Sequence, residues 1–140
     1  MTQEDKRLLL QDLCSRLLYG VICKVEDTQE PVKLKGITPD RDKPLEIYDD
    51  GEEKSSTYYY TDEVKPYLRP MSSMTDEEKA TMDKIWTDNN KLVFADPDDI
   101  RRYRFYDISI VDFLNKHHFD YRGLIEKGLA LEAPKDMYKF

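Results

Sequence analysis

The stretch Val32-Lys33-Leu34-Lys35-Gly36-Ile37 decides the fold. Apolar and charged residues alternate through it, the pattern of a strand with one face buried and the other wet. Working outward, Val21-Ile22-Cys23-Lys24-Val25 precedes it, while Leu45-Glu46-Ile47-Tyr48 and Thr57-Tyr58-Tyr59-Tyr60-Thr61 follow. Pro31, Pro39-Asp40, Pro44 and Asp50-Gly51 supply turn residues between these runs. In a fifth element, Val64-Lys65-Pro66-Tyr67-Leu68, Pro66 cannot donate to a ladder, which predicts an edge strand or a single helical turn. So many short strands within residues 19–70 must curl together to bury a common face. This part therefore reads as a small strongly bent antiparallel sheet or an SH3-like barrel.

Helical periodicity frames that β-rich part. In residues 1–18, Leu10, Leu13 and Leu17 with neighbouring Leu9 and Cys14 form one broad apolar face. Thr2 is the expected N-cap, Glu4 and Asp5 suit the positive helix end, and Gly20 suits the stop. Thr75 with Glu78 three residues on has capping-box spacing, and Met82, Ile85 and Trp86 give the helix that follows its apolar stripe. Leu92-Val93-Phe94 reads as a short strand, and Asp96-Pro97-Asp98-Asp99 as a helix start. Ser109 opens the expected last long helix, with Phe113 and Leu114 inward. Asp120 is the expected cap of a further turn ended by Gly128, and the chain after Pro134 is expected to fray. The fold class is α+β: N-terminal helix, bent sheet, then C-terminal helices over 75–134, all in one domain.

Composition narrows the function more than it identifies it. The 140 residues are 36% charged with net charge −7. Cut at Pro70, the halves hold 11 basic against 15 acidic and 11 against 14 residues, so no basic arm hides in the total. Binding to a phosphate backbone draws on clustered positive charge, and direct nucleic-acid binding is not expected. No apolar run approaches the ~18 residues that would span a bilayer, and residues 1–18 lack a secretory signal's basic start. The two cysteines, Cys14 and Cys23, sit in apolar stretches and read as buried thiols of a cytoplasmic protein.

No arrangement of residues carries a catalytic signature. His117 and His118 diverge by ~100° on a helix and do not chelate one metal, so no metal or cofactor is expected. They are candidates only for lining a pocket between the sheet and the C-terminal helix, one of them beside a carboxylate. With 5 glycines and no Walker or dinucleotide motif, no loop cradles phosphates. Tyrosine is the informative excess: of ten, Tyr59 should face opposite Tyr58 and Tyr60. Tyr59, together with Arg101, Arg102, Tyr103, Arg104 and Tyr106, forms the candidate interaction surface, since Tyr and Arg are enriched at binding hot spots.

Two strings resemble a known family: Val64-Lys65-Pro66-Tyr67-Leu68-Arg69-Pro70-Met71-Ser72-Ser73-Met74-Thr75 and His117-His118-Phe119-Asp120-Tyr121-Arg122-Gly123-Leu124-Ile125. Leu8 to Cys14 and Gly128 to Pro134 are similar to it as well. The family is one of uncharacterised small acidic proteins of gut bacteria and their prophages. The resemblance implies a bacterial, cytoplasmic, mobile-element setting and transfers no site. The functional expectation is a non-enzymatic module that binds another protein. The alternatives are an acidic accessory or DNA-mimic factor for nucleic-acid machinery, and a small-ligand binder or enzyme.

Overall fold

The alternation in residues 32–37 is realised as buried Val32 and Leu34 against exposed Lys33 and Lys35. The computed structural model describes residues 1–26, 28–91 and 100–138, with the side chains of 86–91 and 100–107 outside the description. Its elements are α1 (Gln3–Arg16), β1 (Ile22–Val25), β2 (Val32–Ile37), β3 (Leu45–Tyr48), β4 (Ser56–Tyr59), β5 (Val64–Leu68), α2 (Asp76–Lys91), α3 (Ile100–Lys116) and β6 (Leu131–Glu132). This is the mixed α+β arrangement expected: an N-terminal helix, a mostly antiparallel sheet and C-terminal helices.

Strands pair in the order β4-β3-β2-β1-β5-β6. Four strands follow one another as a meander, a 3-10 turn at Thr61–Glu63 follows, and β5 returns to lie antiparallel to β1. Among the described residues no ladder joins β4 to β5, so the sheet is open and the closed barrel offered as one form of the expectation is not seen. β2 carries an irregularity where its register with β3 steps from Leu34↔Ile47 to Gly36↔Glu46. An unmatched residue of this kind raises local twist and turns the strand.

Pro66 is neither at an edge strand nor in a helical turn. It lies inside β5 opposite Cys23 of β1, and the parallel strand β6 pairs only with Tyr67 and Leu68 just beyond it. The ladder on that side begins one residue past the position where proline lacks its N–H, which is how an internal strand accommodates it.

The main core joins Leu9 and Leu13 of α1 to Cys23, Val25, Leu34, Leu45, Ile47, Val64 and Leu68 of the sheet. Tyr59 belongs to it too, at 8% exposure and opposite Leu45. Its place on the inner face removes it from the candidate interaction surface, while Tyr60 on the other parity is 46% exposed. A second cluster of Met74, Phe113, Leu114 and Phe119 holds α3 and the start of α2, with Met82, Ile85 and Ile110 packed against it.

Four further expectations are corrected. The buried face of α1 is Leu9, Asp12, Leu13 and Arg16, so Cys14 is exposed and only Cys23 is a core thiol. The last long helix starts at Ile100, not Ser109, because the pattern 110–114 continues a helix already running. Asp120 accepts from the Leu124 and Ile125 amides at 2.8 and 3.0 Å, but it organises turns and not a helix. The C-terminal segment is anchored: Tyr138 donates to the Tyr67 carbonyl (2.7 Å) and accepts from the Ile22 amide (3.0 Å). Leu92 to Phe94 and Asp96 to Asp99 lie outside the described residues.

Asp12 and Arg16 are both fully buried and form a two-point ion pair, Nε–Oδ2 at 2.9 Å and Nη2–Oδ1 at 3.1 Å. Arg16 also donates to the Phe119 carbonyl, and Arg122 reaches Asp12 Oδ1 at 3.3 Å. Removing one partner strands a buried charge, so Asp12→Ala should cost about 3–5 kcal/mol in urea denaturation. The double variant Asp12→Leu/Arg16→Met should cost clearly less than Asp12→Ala alone. A single variant at wild-type stability would show that the pair is not buried.

Candidate functional site

After Leu68 the chain leaves the sheet through Arg69-Pro70, makes a 3-10 turn at Met71–Ser73 and enters α2. The expected capping box closes that entry: Thr75 N donates to Glu78 Oε1 at 3.0 Å, and Glu78 N donates to Thr75 Oγ1 at 3.1 Å. It fixes the Glu78 carboxylate over the first turn, facing back toward β5. Arg69 meets it as a fork, Nη1 to Oε2 at 2.7 Å and Nη2 to Oε1 at 2.6 Å. The guanidinium also lies 4.2 Å above the Phe119 ring.

The end of α3 supplies the next member. His117 Nδ1 lies 3.4 Å from Glu78 Oε2, and its ring packs 4.6 Å from that of Phe113. A parallel bridge sets this geometry: Arg69 N donates to the His118 carbonyl and Asp120 N to the Arg69 carbonyl, both at 2.8 Å. These groups form one wall of a cleft of about 890 Å³. The opposite wall is the chain leaving β6, including Glu132, Pro134, Lys135, Asp136 and Tyr138.

Electrostatics fix the protonation states. Hydrogen bonds from Arg69, reinforced by Thr75, hold the Glu78 carboxyl down at about 2 against the opposing effect of burial. Burial lowers the His117 pKa, with Glu78 opposing and Arg69 and Lys116 assisting, so at neutral pH the imidazole is uncharged beside an ionised carboxylate. The hydroxyls of the cleft are engaged with nearby backbone. Ser73 Oγ donates to the Pro70 carbonyl (2.7 Å), Thr81 Oγ1 donates to the Glu77 carbonyl (3.1 Å), and Thr75 Oγ1 takes the Glu78 amide.

His118 lies behind the cleft and not in it. It ends α3 with a left-handed backbone, φ 59°, which turns its ring into the core at 1% exposure. There Nε2 is 3.0 Å from the Tyr19 carbonyl, and the Tyr138 ring stacks on it at 3.8 Å. Of the two histidines proposed as pocket residues, His117 lines the cleft and His118 supports it. The side chains of Arg101, Arg102, Tyr103, Arg104 and Tyr106, in the first turns of α3, lie outside the described residues. Arg69 and Glu132 were not candidates from sequence. The signal available for Glu78 was the capping box, which locates that carboxylate without naming its partner.

No protein-family model, curated protein or solved structure matches the chain. Among the described residues there is no cluster of His, Cys, Asp or Glu suited to a metal ion, and no helix is long and apolar enough to cross a membrane.

Burial, with nearby Arg16 adding to it, pushes the His118 imidazole down to about 4. The unfolded chain takes up this proton below about 6.5, and the folded chain refuses it until about 4, so folding loses stability as pH falls through that window. The loss should approach about 3 kcal/mol by pH 4. Urea midpoints at pH 7, 5.5 and 4 should fall in that order, and His118→Phe should flatten the drop above pH 4.5. Below that, protonation of Glu78 removes further stability as pH falls from 4.5 toward 2. A wild-type midpoint constant from pH 7 to 5 would place His118 in water and not in the core.

Proposed function

We propose that the protein is a non-catalytic binding module of the cytoplasm, and that the cleft between α2–α3 and the segment after β6 receives a basic segment of another protein. The observation that carries this reading is the state of Glu78. A general acid or base works best with a pKa near the operating pH, and a carboxylate at about 2 under an arginine fork is far from that. His117 faces that same neutralised carboxylate, and the hydroxyls of Ser73, Thr75 and Thr81 are each engaged with a backbone group. Polar groups held this firmly suit recognition.

The charge of the lining supports the choice of partner. Beyond the Arg69–Glu78 pair, the cleft presents Glu77, Glu132 and Asp136 against Lys135. None of these three acids forms an ion pair among the described residues, so the cleft offers net negative potential beside apolar Pro70, Phe113 and Pro134. β6 ends the sheet here, and an extended segment could lie along it as strand-adding ligands do. The DNA-mimic alternative draws less support, because the wet face of the sheet and the loop joining β3 to β4 interleave signs: Lys33–Glu53, Lys35–Glu46 and Lys54–Glu52 pair at 3.1–3.2 Å. Unpaired thiols, one of them buried, accord with a reducing compartment.

Selection from a random displayed-peptide library on the immobilised protein tests the reading. Enriched peptides should carry Lys or Arg beside apolar residues, and Glu77→Gln/Glu132→Gln/Asp136→Asn should weaken them roughly tenfold or more, as loss of charge complementarity predicts. Peptides without basic bias, or unaffected by the triple variant, overturn the assignment of the cleft.

A further inference from the structure

A second cleft, sharing no lining residue with the first, opens between the start of α1 and the loop joining β2 to β3. Its volume is about 520 Å³, within the range of small-molecule sites. Lys6 and Arg7 come from α1 and Arg41 from the loop. The ion-paired cations of this chain include Lys33, Lys35, Lys54, Arg16, Arg69 and Arg122, whereas Lys6, Arg7 and Arg41 form no ion pair among the described residues. Three cations from two separate elements, none in an ion pair among the described residues, therefore converge on one opening in a chain of net charge −7.

The remaining lining is not that of a bare anion site. Arg41 lies 3.8 Å above the Tyr58 ring, which restrains the guanidinium while its N–H edge remains available. Leu10, Pro39 and Pro44 give the cleft apolar surface. Tyr60 lines it at 46% exposure, its backbone tied by a hydrogen bond to Glu63 (3.0 Å) and its ring 5.0 Å from the Lys43 ammonium, which adds a fourth cation beside the aromatic surface. Asp42 and Asp62 also line the cleft, outside any ion pair with these cations among the described residues, and their carboxylates are acceptors suited to hydroxyl donors.

We infer that this cleft binds a nucleoside phosphate, with the phosphate on Lys6, Arg7 and Arg41, the base against Tyr60 and the sugar hydroxyls on Asp42 and Asp62. Each part of the lining then has a counterpart in the ligand: cations for a charged group, an aromatic face for a flat one, carboxylates for a diol. Side chains perform the work a glycine-rich loop performs elsewhere, and such loops are absent from this glycine-poor sequence.

Titration of adenosine monophosphate into the isotope-labelled full chain, followed by amide chemical shifts, tests the inference. Shifts should centre on Lys6, Arg7, Arg41 and Thr61, and adenosine or ribose 5-phosphate alone should each bind roughly tenfold or more weakly, since each lacks either the charged or the stacking contact. Arg41→Ala and Tyr60→Ala should each lower affinity by a similar factor, with Lys54→Ala as the unaffected control. Should Arg41→Ala disturb the loop, Arg7→Ala on the exposed side of α1 reads the same charge contact without that risk. Absence of shifts at 10 mM, equal binding by ribose 5-phosphate, or undiminished affinity in Tyr60→Ala and Arg7→Ala overturns it.

Discussion

The fully buried guanidinium of Arg16 is the constraint on which the rest of the structure depends. A charge removed from water has to be met by an opposite charge and by hydrogen bonds. Asp12 supplies the charge from one turn earlier on α1, and the Phe119 carbonyl supplies a bond from 103 residues away in sequence. That carbonyl is thereby fixed against α1. The adjoining backbone is bridged to Arg69, so the end of α3, the exit of β5 and the N-terminal helix are located by one network. Arg122 extends it through Asp12 and through Ser15 Oγ at 3.2 Å. The cleft is a consequence: His117 and Glu78 approach each other because Phe119 and Arg69 are already held.

The same network connects the two walls of the cleft, which are held in different ways. Its inner wall is built from groups with two or three partners each, Arg69 touching Glu78, Phe119 and the His117 carbonyl. The outer wall is a short segment after a two-residue strand, anchored by Ala133 N to the Leu68 carbonyl and by the Tyr138 hydroxyl. Tyr138 closes the loop of dependence, because its ring stacks on His118, the residue whose carbonyl receives the Arg69 amide. Stability at low pH and the shape of the cleft are therefore tied to the same two aromatic rings.

Local physics made much of the fold legible. Period-two alternation located β2, short β-like runs between turn residues located β1, β3 and β4, and both capping sites were readable because a cap is a contact across three residues. The reading of α1 failed in an instructive way. An apolar face drawn through Leu10, Leu13, Leu17 and Cys14 leaves out the polar Asp12 and Arg16, yet they lie at i, i+4 on the stripe that Leu9 and Leu13 define. A helix face that buries a neutralised pair looks, in sequence, like a helix face in water. Pro66 misled for a related reason, since its missing N–H matters only on the side where a neighbour asks for it, and β6 begins one residue later.

The candidate site was legible only where a contact is short in sequence. Glu78 could be placed by its bond to Thr75, three residues back, and His117 by its position at the end of an apolar helix pattern. The contacts that turn these residues into a site run from residue 69 to 78 and 117, and from 138 to 22 and 67. No periodicity encodes such pairs. This also bears on what the molecule can do: the side chains that carry chemistry elsewhere, a histidine beside a carboxylate and serine and threonine hydroxyls, are here engaged by their neighbours. A histidine–carboxylate pair becomes a base only if the carboxylate is free to balance the imidazolium. With Arg69 already balancing Glu78, protonating His117 would leave two cations facing one anion, which disfavours the imidazolium.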